Sequence, residues 1–274
     1  MYFLKHLMLL KLEKLESTQT SSQKNGIPKN SNLISIIIPT YQEEKILSKL
    51  KNIYTNEIKI EFNCEIIVSD GGSTDNTVNI AREFADKIVE HHSPKRQTIA
   101  EGRNKGAEVA EGNILVFINA DTYPANFREF MKSIQEWSLK QINDYGAIAC
   151  YVSGFPDEIN TKDRIFYFLH NTFVKILNII KLGMGRGECQ IIRKDLFYLV
   201  NGYNPNIVAG EDFDLFRRVS KHTKILMKSN FLVYESPRRF RKYGYLKTIW
   251  FWLINALSII FAGRSYSKEW EAIR

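Results

Sequence analysis

Chemistry-bearing side chains in this chain gather at the ends of apolar runs. Ile114 to Ile118 is a continuous apolar stretch that stops at Asn119-Ala120-Asp121. A run of that kind reads as a strand buried on both faces, and a carboxylate at its carboxyl end lies where open α/β sheets hold their ligands. The plain alternative is a turn, for which Asn, Asp and Pro are common. A second acid, Asp70, follows the apolar run ending at Val68 and precedes Gly71-Gly72. Glycines let the backbone approach a ligand, and the carboxylate could accept hydrogen bonds from a base or ribose, or simply hold a turn. Lys95, Arg96, Arg103 and Lys105 surround a predicted helix start. They suit a diphosphate, with a solvated face as the other reading. Glu211, Asp212 and Asp214 open another helix. Capping and the helix dipole explain one acid there, which leaves a surplus.

The elements that must position these groups alternate. Strands are predicted at Ile34 to Ile38, Glu65 to Val68, Lys87 to Glu90 and Ile114 to Ile118. Between them, helical spacing appears at Ile46, Leu47, Leu50, Ile53 and Tyr54, from Thr77 to Phe84, and from Thr98 to Ala110. This β-α-β-α order predicts an α/β fold with a mainly parallel central sheet and helices on both faces. After Asn126 the pattern loosens into a helix around Phe127 to Trp137, a strand from Gly146 to Val152, and a long aromatic-rich helix from Asp163 to Leu182. A glycine-punctuated segment, Gly183 to Glu188, then precedes a strand at Cys189 to Ile192. Neither a GxGxxG fingerprint nor a GxxxxGK[ST] loop is present.

Composition bounds the partners. The 274 residues are 44% hydrophobic and 25% charged, ordinary for a globular protein, with a formal net charge of +8. That excess predicts a polyanionic partner: nucleic acid, an anionic membrane or a phosphorylated substrate. No helix-turn-helix, zinc-finger or RNP-type pattern speaks for nucleic acid, so none is expected. Cys64, Cys150 and Cys189 are widely spaced, without a CxxC pair, and read as reduced thiols. With an amino terminus that makes a poor signal peptide, they predict a cytoplasmic location. Leu4, Leu7, Met8, Leu12 and Leu15 fall near helical spacing, and Ser17 to Ser31 reads as a polar linker.

Four ordered pieces of sequence, SIIIPTYQEE, VSDGGSTDNT, GRNKGAEVAEGNILVFINADT and CQIIRKDLFYLVNGYNPNIVAGEDFDLFRRV, resemble the family 2 glycosyltransferases with the GT-A fold. The resemblance runs from about Ser35 to Ser236. It implies a GT-A domain over residues 32–236, with a nucleotide-sugar half (32–125) and an acceptor half (126–236). It also implies a nucleotide-diphospho-sugar donor, an Mg²⁺ or Mn²⁺ ion, and inverting transfer to an acceptor hydroxyl. Carried over by position, Pro39, Thr40, Tyr41 and Glu43 edge the nucleoside pocket, and Asp70 is the base partner. Asn119 and Asp121 fall on the DXD motif, where Asp121 binds the metal; Asn119 departs from the usual first Asp and removes one charge. Arg103 is assigned to the donor side, Glu211 to the acceptor side, Asp212 to the general base, and Glu235 to a further metal ligand where many members carry a His.

The remaining residues, 237–274, begin with Arg238, Arg239, Arg241 and Lys242 and continue into the almost wholly apolar Tyr245 to Ala262. Cations beside an apolar, Trp-containing helix predict contact with the inner face of the cell membrane, where a lipid-linked acceptor or cell-surface glycan precursor would be met. The alternative is a helix packed on the domain or on a second subunit. Two other functions stay open. A sugar nucleotidyltransferase would be expected to carry a glycine-rich loop that PTYQEE lacks, and Asn119 leaves room for an inactive nucleotide-sugar binder.

Overall fold

The structure is a computed structural model that describes residues 33–94 and 96–267. The amphipathic segment and linker expected at residues 1–31, and Lys95, lie outside the described residues.

In chain order the elements begin with β1 (Ile34–Thr40), α1 (Glu44–Leu50), α2 (Asn56–Phe62), β2 (Cys64–Asp70), α3 (Thr77–Ala81), β3 (Lys87–Glu90), α4 (Ile99–Val109) and β4 (Ile114–Ile118). They continue with β5 (Tyr123–Pro124), α5 (Phe127–Lys140), β6 (Tyr145–Ala149), β7 (Tyr151–Gly154), α6 (Thr161–Ile179), β8 (Cys189–Arg193), α7 (Lys194–Leu199) and α8 (Glu211–Val219). Last come β9 (Lys224–Leu226), β10 (Leu232–Glu235), α9 (Arg238–Tyr243) and α10 (Tyr245–Ala262). The main sheet has the order β3-β2-β1-β4-β8-β6-β9 and is parallel except for β8, which runs against both its neighbours. A small sheet, β5-β10-β7, stands beside it.

Both faces of the main sheet are covered, as the apolar runs require. Ile36, Ile38, Val116 and Ile118 join the core under α1, α2 and α5, whereas Ile37, Leu115 and Phe117 join the core under α4, α7 and α8. Gly106 lets α4 lie close on the sheet, since a Cβ there would stand 2.4 Å from Ile37 Cγ2. Thr98 starts that helix with a capping box, its hydroxyl accepting from the Glu101 N–H while the Thr98 N–H donates to the Glu101 carboxylate.

Two expectations change. The strand expected from Gly146 to Val152 is two strands: β6 stays in the main sheet and, after Cys150, β7 pairs with β10 in the small one. Its apolar pattern is unbroken, and only the change of partner marks the division. The helix α2 was not expected, because its single buried stripe, Ile58 and Phe62, is too short to read as periodic. The three cysteines are free and buried. Among the described residues α10 alone is long and apolar enough to cross a membrane, with mean hydropathy 1.5.

Candidate active site

A cleft of about 840 Å³ opens at the carboxyl ends of β1, β2 and β4. Pro39 and Thr40 at the end of β1, Tyr41 and Glu43 from the loop after it, and Asn119 and Asp121 after β4 all line it, as do Glu188, Glu235, Arg96, Arg238 and Arg239. The loop after β2 supports the loop after β1 from behind: Ser73 Oγ accepts from the Gln42 N–H and Thr77 Oγ1 from the Glu43 N–H, both at 2.8 Å. Arg96 lies over the Tyr41 ring, its Cζ 4.8 Å from the ring centroid.

Asp70 is not on this wall. It is 1% exposed, and its two oxygens accept from the Thr40 and Ser73 hydroxyls and from the Gly72 and Ser73 N–H groups. Its work in this structure is to fold the glycine turn. A base contact would require one of those hydroxyls to let go.

Arg103 also departs from its expected place. Its side chain is 1% exposed, too deep to line a diphosphate site. Nη1 donates to Glu211 Oε1 at 2.9 Å, while Nη2 donates to Asn119 Oδ1 at 3.0 Å and to the Gly187 carbonyl at 2.6 Å. One guanidinium thus ties α4, the end of β4, the glycine segment before β8, and α8 together. Asn119 accordingly offers its carbonyl to Arg103, and Glu211 is a buried structural partner.

The surplus of acids at α8 is now resolved. Glu211 pairs with Arg103 and Asp214 pairs with Arg218 at 2.7 Å, so Asp212 is the acid of the three with no ion pair among the described residues. The helix starts at Gly210 in the left-handed region (φ +86°), a residue with no side chain to cap it. Asp212 is half-buried; its Oδ1 accepts from the Phe213 N–H, and its Oδ2 would be 3.3 Å from a Cβ on Gly187. Burial, then the Glu211 and Glu188 carboxylates, push its carboxyl up to about 7, with Arg103 opposing. Asp212 does not itself line the cleft; it rests on Gly187, the neighbour of Glu188, which does.

The cleft also has an acidic wall with two arginines. Arg186, 3% exposed, donates from Nη2 to Glu188 Oε1 and to Glu235 Oε1, each at 3.0 Å. Burial and the adjacent Glu188 raise the Glu235 carboxyl well above its ordinary value, whereas Arg186 holds Glu188 down at about 2. Asp121 accepts from Arg238 Nη2 at 3.1 Å and keeps 40% of its side chain exposed to the cleft. Its recessed setting and Glu188 raise its carboxyl, against Arg238.

Among the described residues no three His, Cys, Asp or Glu side chains converge as a closed metal cage. The donor set fits an open site instead. Asp121 presents a hard oxygen to the cleft, and Glu188, which lines the same cleft, has a buried second oxygen, Oε2, outside its ion pair with Arg186. Magnesium-like ions are held by one or two carboxylates, with substrate phosphates completing the shell.

Residue typing missed Glu188, Arg238 and Arg239 as cleft residues. Glu188 ends the glycine-punctuated segment, in which Gly183 and Gly185 are packing positions against Phe216, where a Cβ would meet atoms at 2.3 and 2.7 Å. The basic cluster was legible, though not its reach back to Asp121.

The glycosyl transferase family 2 model matches residues 35–197. Glycosyltransferase AglE of Haloferax volcanii is 34% identical over 196 residues, covering 68% of this chain and 61% of the relative. A Methanococcus voltae protein, dolichyl N-acetyl-alpha-D-glucosaminyl phosphate 3-beta-D-2,3-diacetamido-2,3-dideoxy-beta-D-glucuronosyltransferase, is 34% identical over 107 residues, covering 37% of this chain and 32% of the relative. The chain thus spans between about a third and three-fifths of the length of these curated relatives. In fold it is similar to the mannosyltransferase PcManGT of Pyrobaculum calidifontis, solved with GDP-Man and Mn²⁺, with TM-score 0.57, 14% identity, and coverage of 85% of this chain and 66% of that one. Glucosyl-3-phosphoglycerate synthase of Mycobacterium tuberculosis, solved with Mn²⁺ and UDP, gives TM-score 0.58 at 18% identity, covering 83% and 79%. The parallel sheet with its one reversed strand is the GT-A fold, and the chain belongs to glycosyl transferase family 2.

Proposed function

We propose that the protein is an inverting, metal-dependent glycosyltransferase that moves a sugar from a nucleotide-diphospho-sugar to an acceptor hydroxyl. One observation carries the reading: residues from the carboxyl ends of β1 and β4 and the loops that follow share a cleft whose wall, at Glu188, adjoins Asp212, an acid with no ion pair among the described residues. Asp121, with Glu188 close enough to raise its carboxyl, would hold Mg²⁺ or Mn²⁺. When bound, the ion neutralises the charge that develops on the departing diphosphate. Arg96, Arg238 and Arg239 add cationic lining. Asp70 reaches the donor indirectly, through the loop it folds.

Asp212 is the general base. Its Oδ1 is engaged by the Phe213 N–H, so Oδ2 takes the proton of the acceptor hydroxyl. The acceptor oxygen forms the new bond to the anomeric carbon as the bond to the diphosphate breaks on the opposite face, and nucleoside diphosphate leaves. A carboxyl held near 7 is matched to that task at neutral pH.

The acceptor is assigned to lipid-linked or cell-surface glycan precursors at the cytoplasmic face of the membrane. The dolichyl-containing name of the Methanococcus relative supports that class, and so does the apolar outward face of α10. The test is a panel of nucleotide sugars with Mn²⁺, read as released nucleoside diphosphate and as binding. Turnover with at least one donor, abolished by EDTA, is expected. Binding without turnover in the presence of lipid-linked acceptors would identify an inactive binder.

A further inference from the structure

We infer that α6 and α10 form a joint in-plane seat on an anionic lipid surface, with α10 lying along the membrane and not crossing it. This rests on the membrane contact proposed above and adds a second helix and an orientation to it.

The orientation follows from how α10 is fastened. Tyr245, Thr248, Trp252, Asn255 and Ile259 recur at helical spacing and face the domain. The Tyr245 ring lies 5.0 Å from Phe166, Trp252 stacks on His170 at 5.0 Å, and Ile259 Cδ1 stands 2.9 Å from the Cβ position of Gly210. The attachment therefore runs for roughly 21 Å of a helix about 27 Å long. A spanning helix must be sheathed in hydrocarbon over about 30 Å. A helix stitched lengthwise to a domain full of charged loops cannot meet that condition.

The polarity of α10 is inside out. Its buried stripe carries Thr248 and Asn255, which satisfy themselves on the Gly244 and Phe251 carbonyls. Its outward stripe carries Leu246, Trp250, Leu253, Leu257 and Phe261, of which Leu246 and Phe261 are 84% exposed. The long helix α6 repeats the arrangement: Phe168, Leu169, Phe173, Ile176 and Ile179 face outward at i, i+3 and i+4 spacing, with Phe168 at 69% exposure. Two adjoining helices that both turn large apolar side chains outward mark a contact surface, well beyond the scattered singles of an ordinary exterior.

The two helices are joined at their beginnings. Asp163, in the first turn of α6, accepts from the Tyr245 hydroxyl and has Arg241 Nη2 at 3.7 Å. That acid is the sole carboxylate in α6, it is fully buried, and Pro237 to Ser267 contains no Asp or Glu. Among the described residues of α6, α10 and the turn after α10, the charges left exposed are cations, Lys162, Arg164, Lys175, Lys247 and Arg264. Apolar side chains rimmed by cations complement an anionic bilayer. A second copy placed on this face would set cations against cations, so the occupant is lipid.

The test is flotation of the full chain with phosphatidylcholine vesicles, with and without phosphatidylglycerol. It is followed by alkaline carbonate washing, and compared with Phe168→Glu/Phe173→Glu and the milder Phe168→Gln. The parent is expected to float with the anionic vesicles and to be released by carbonate. The double variant should partition about tenfold more weakly and the single variant less so, with unchanged circular dichroism and unchanged nucleoside diphosphate binding. A parent that does not float overturns this inference and the membrane contact together. Variants that float like the parent overturn the role of α6 and leave the contact of α10 standing. Retention after carbonate overturns the in-plane orientation. A parent dimer that the variants convert to monomer, without loss of flotation, assigns the face to a second copy and overturns the lipid assignment.

Discussion

Arg103 Nη1 and Glu211 Oε1 meet at 2.9 Å, with the two side chains only 1% and 9% exposed, and so join the helix that leads into β4 to the helix that carries Asp212. Removing one partner of a buried, hydrogen-bonded pair strands the other charge, which costs about 3–5 kcal/mol. Arg103→Met is expected to lose that much in urea unfolding. Adding Glu211→Leu should cost less than the sum of the single changes, so the double-mutant cycle reports a favourable coupling. Additive losses would mean that the pair does not hold the joint.

As the proposed general base, Asp212 would link activity to pH. Its carboxyl, moved from 3.8 to about 7, must be ionised to accept a proton, so kcat/KM is expected to rise with pH through about 7. Asp212→Asn should lower kcat by about 10²–10⁴ and leave nucleoside diphosphate binding in place.

The same shift makes a stability prediction of definite sign. Between about 4 and 7 the folded protein retains a proton on Asp212 that the unfolded chain has released. The folded state binds more protons there, so stability from this group falls as pH rises through the window. Asp212→Asn is expected to stabilise the protein at pH 8 by about 1–3 kcal/mol and to give no gain below pH 4. Thermal melts of both proteins across that range would measure it.

Asp121 is the cleft-facing carboxylate of the proposed cation site. Asp121→Ala is expected to weaken Mn²⁺-dependent nucleoside diphosphate binding by about tenfold or more. Binding measured in EDTA should hardly change. Calorimetric titration with and without Mn²⁺ separates the two, and an equal loss under both conditions would assign Asp121 to a direct contact with the nucleotide.

Gly106 tests the packing of α4 on β1. Ala is the better helix former by about 1 kcal/mol, yet its Cβ would stand 2.4 Å from Ile37 Cγ2. Overpacking of that kind costs about 1–3 kcal/mol, so Gly106→Ala is expected to be net destabilising in denaturant unfolding.

Residue order alone determined the alternation of strands and helices in the first half, the carboxyl-end placement of Asn119 and Asp121, and the surplus of acids at α8. These are local matters: a buried strand must be apolar, and a helix start needs no more than one acid. Pro39, Thr40, Tyr41, Glu43, Asn119 and Asp121 do meet on one cleft, while Asp70 and Arg103, read from equally suggestive positions, are turned to structural work.

Which of several like-charged residues is spent and which is left over was decided only by tertiary structure. Arg103 reaches Glu211 across 108 positions and Arg238 reaches Asp121 across 117. No periodicity records such pairings, because a long side chain's partner is set by the packing of the elements that carry it. The division of β6 from β7 and the inside-out face of α10 have the same origin. A sequence states that a segment is apolar; what lies on each side of it belongs to the fold.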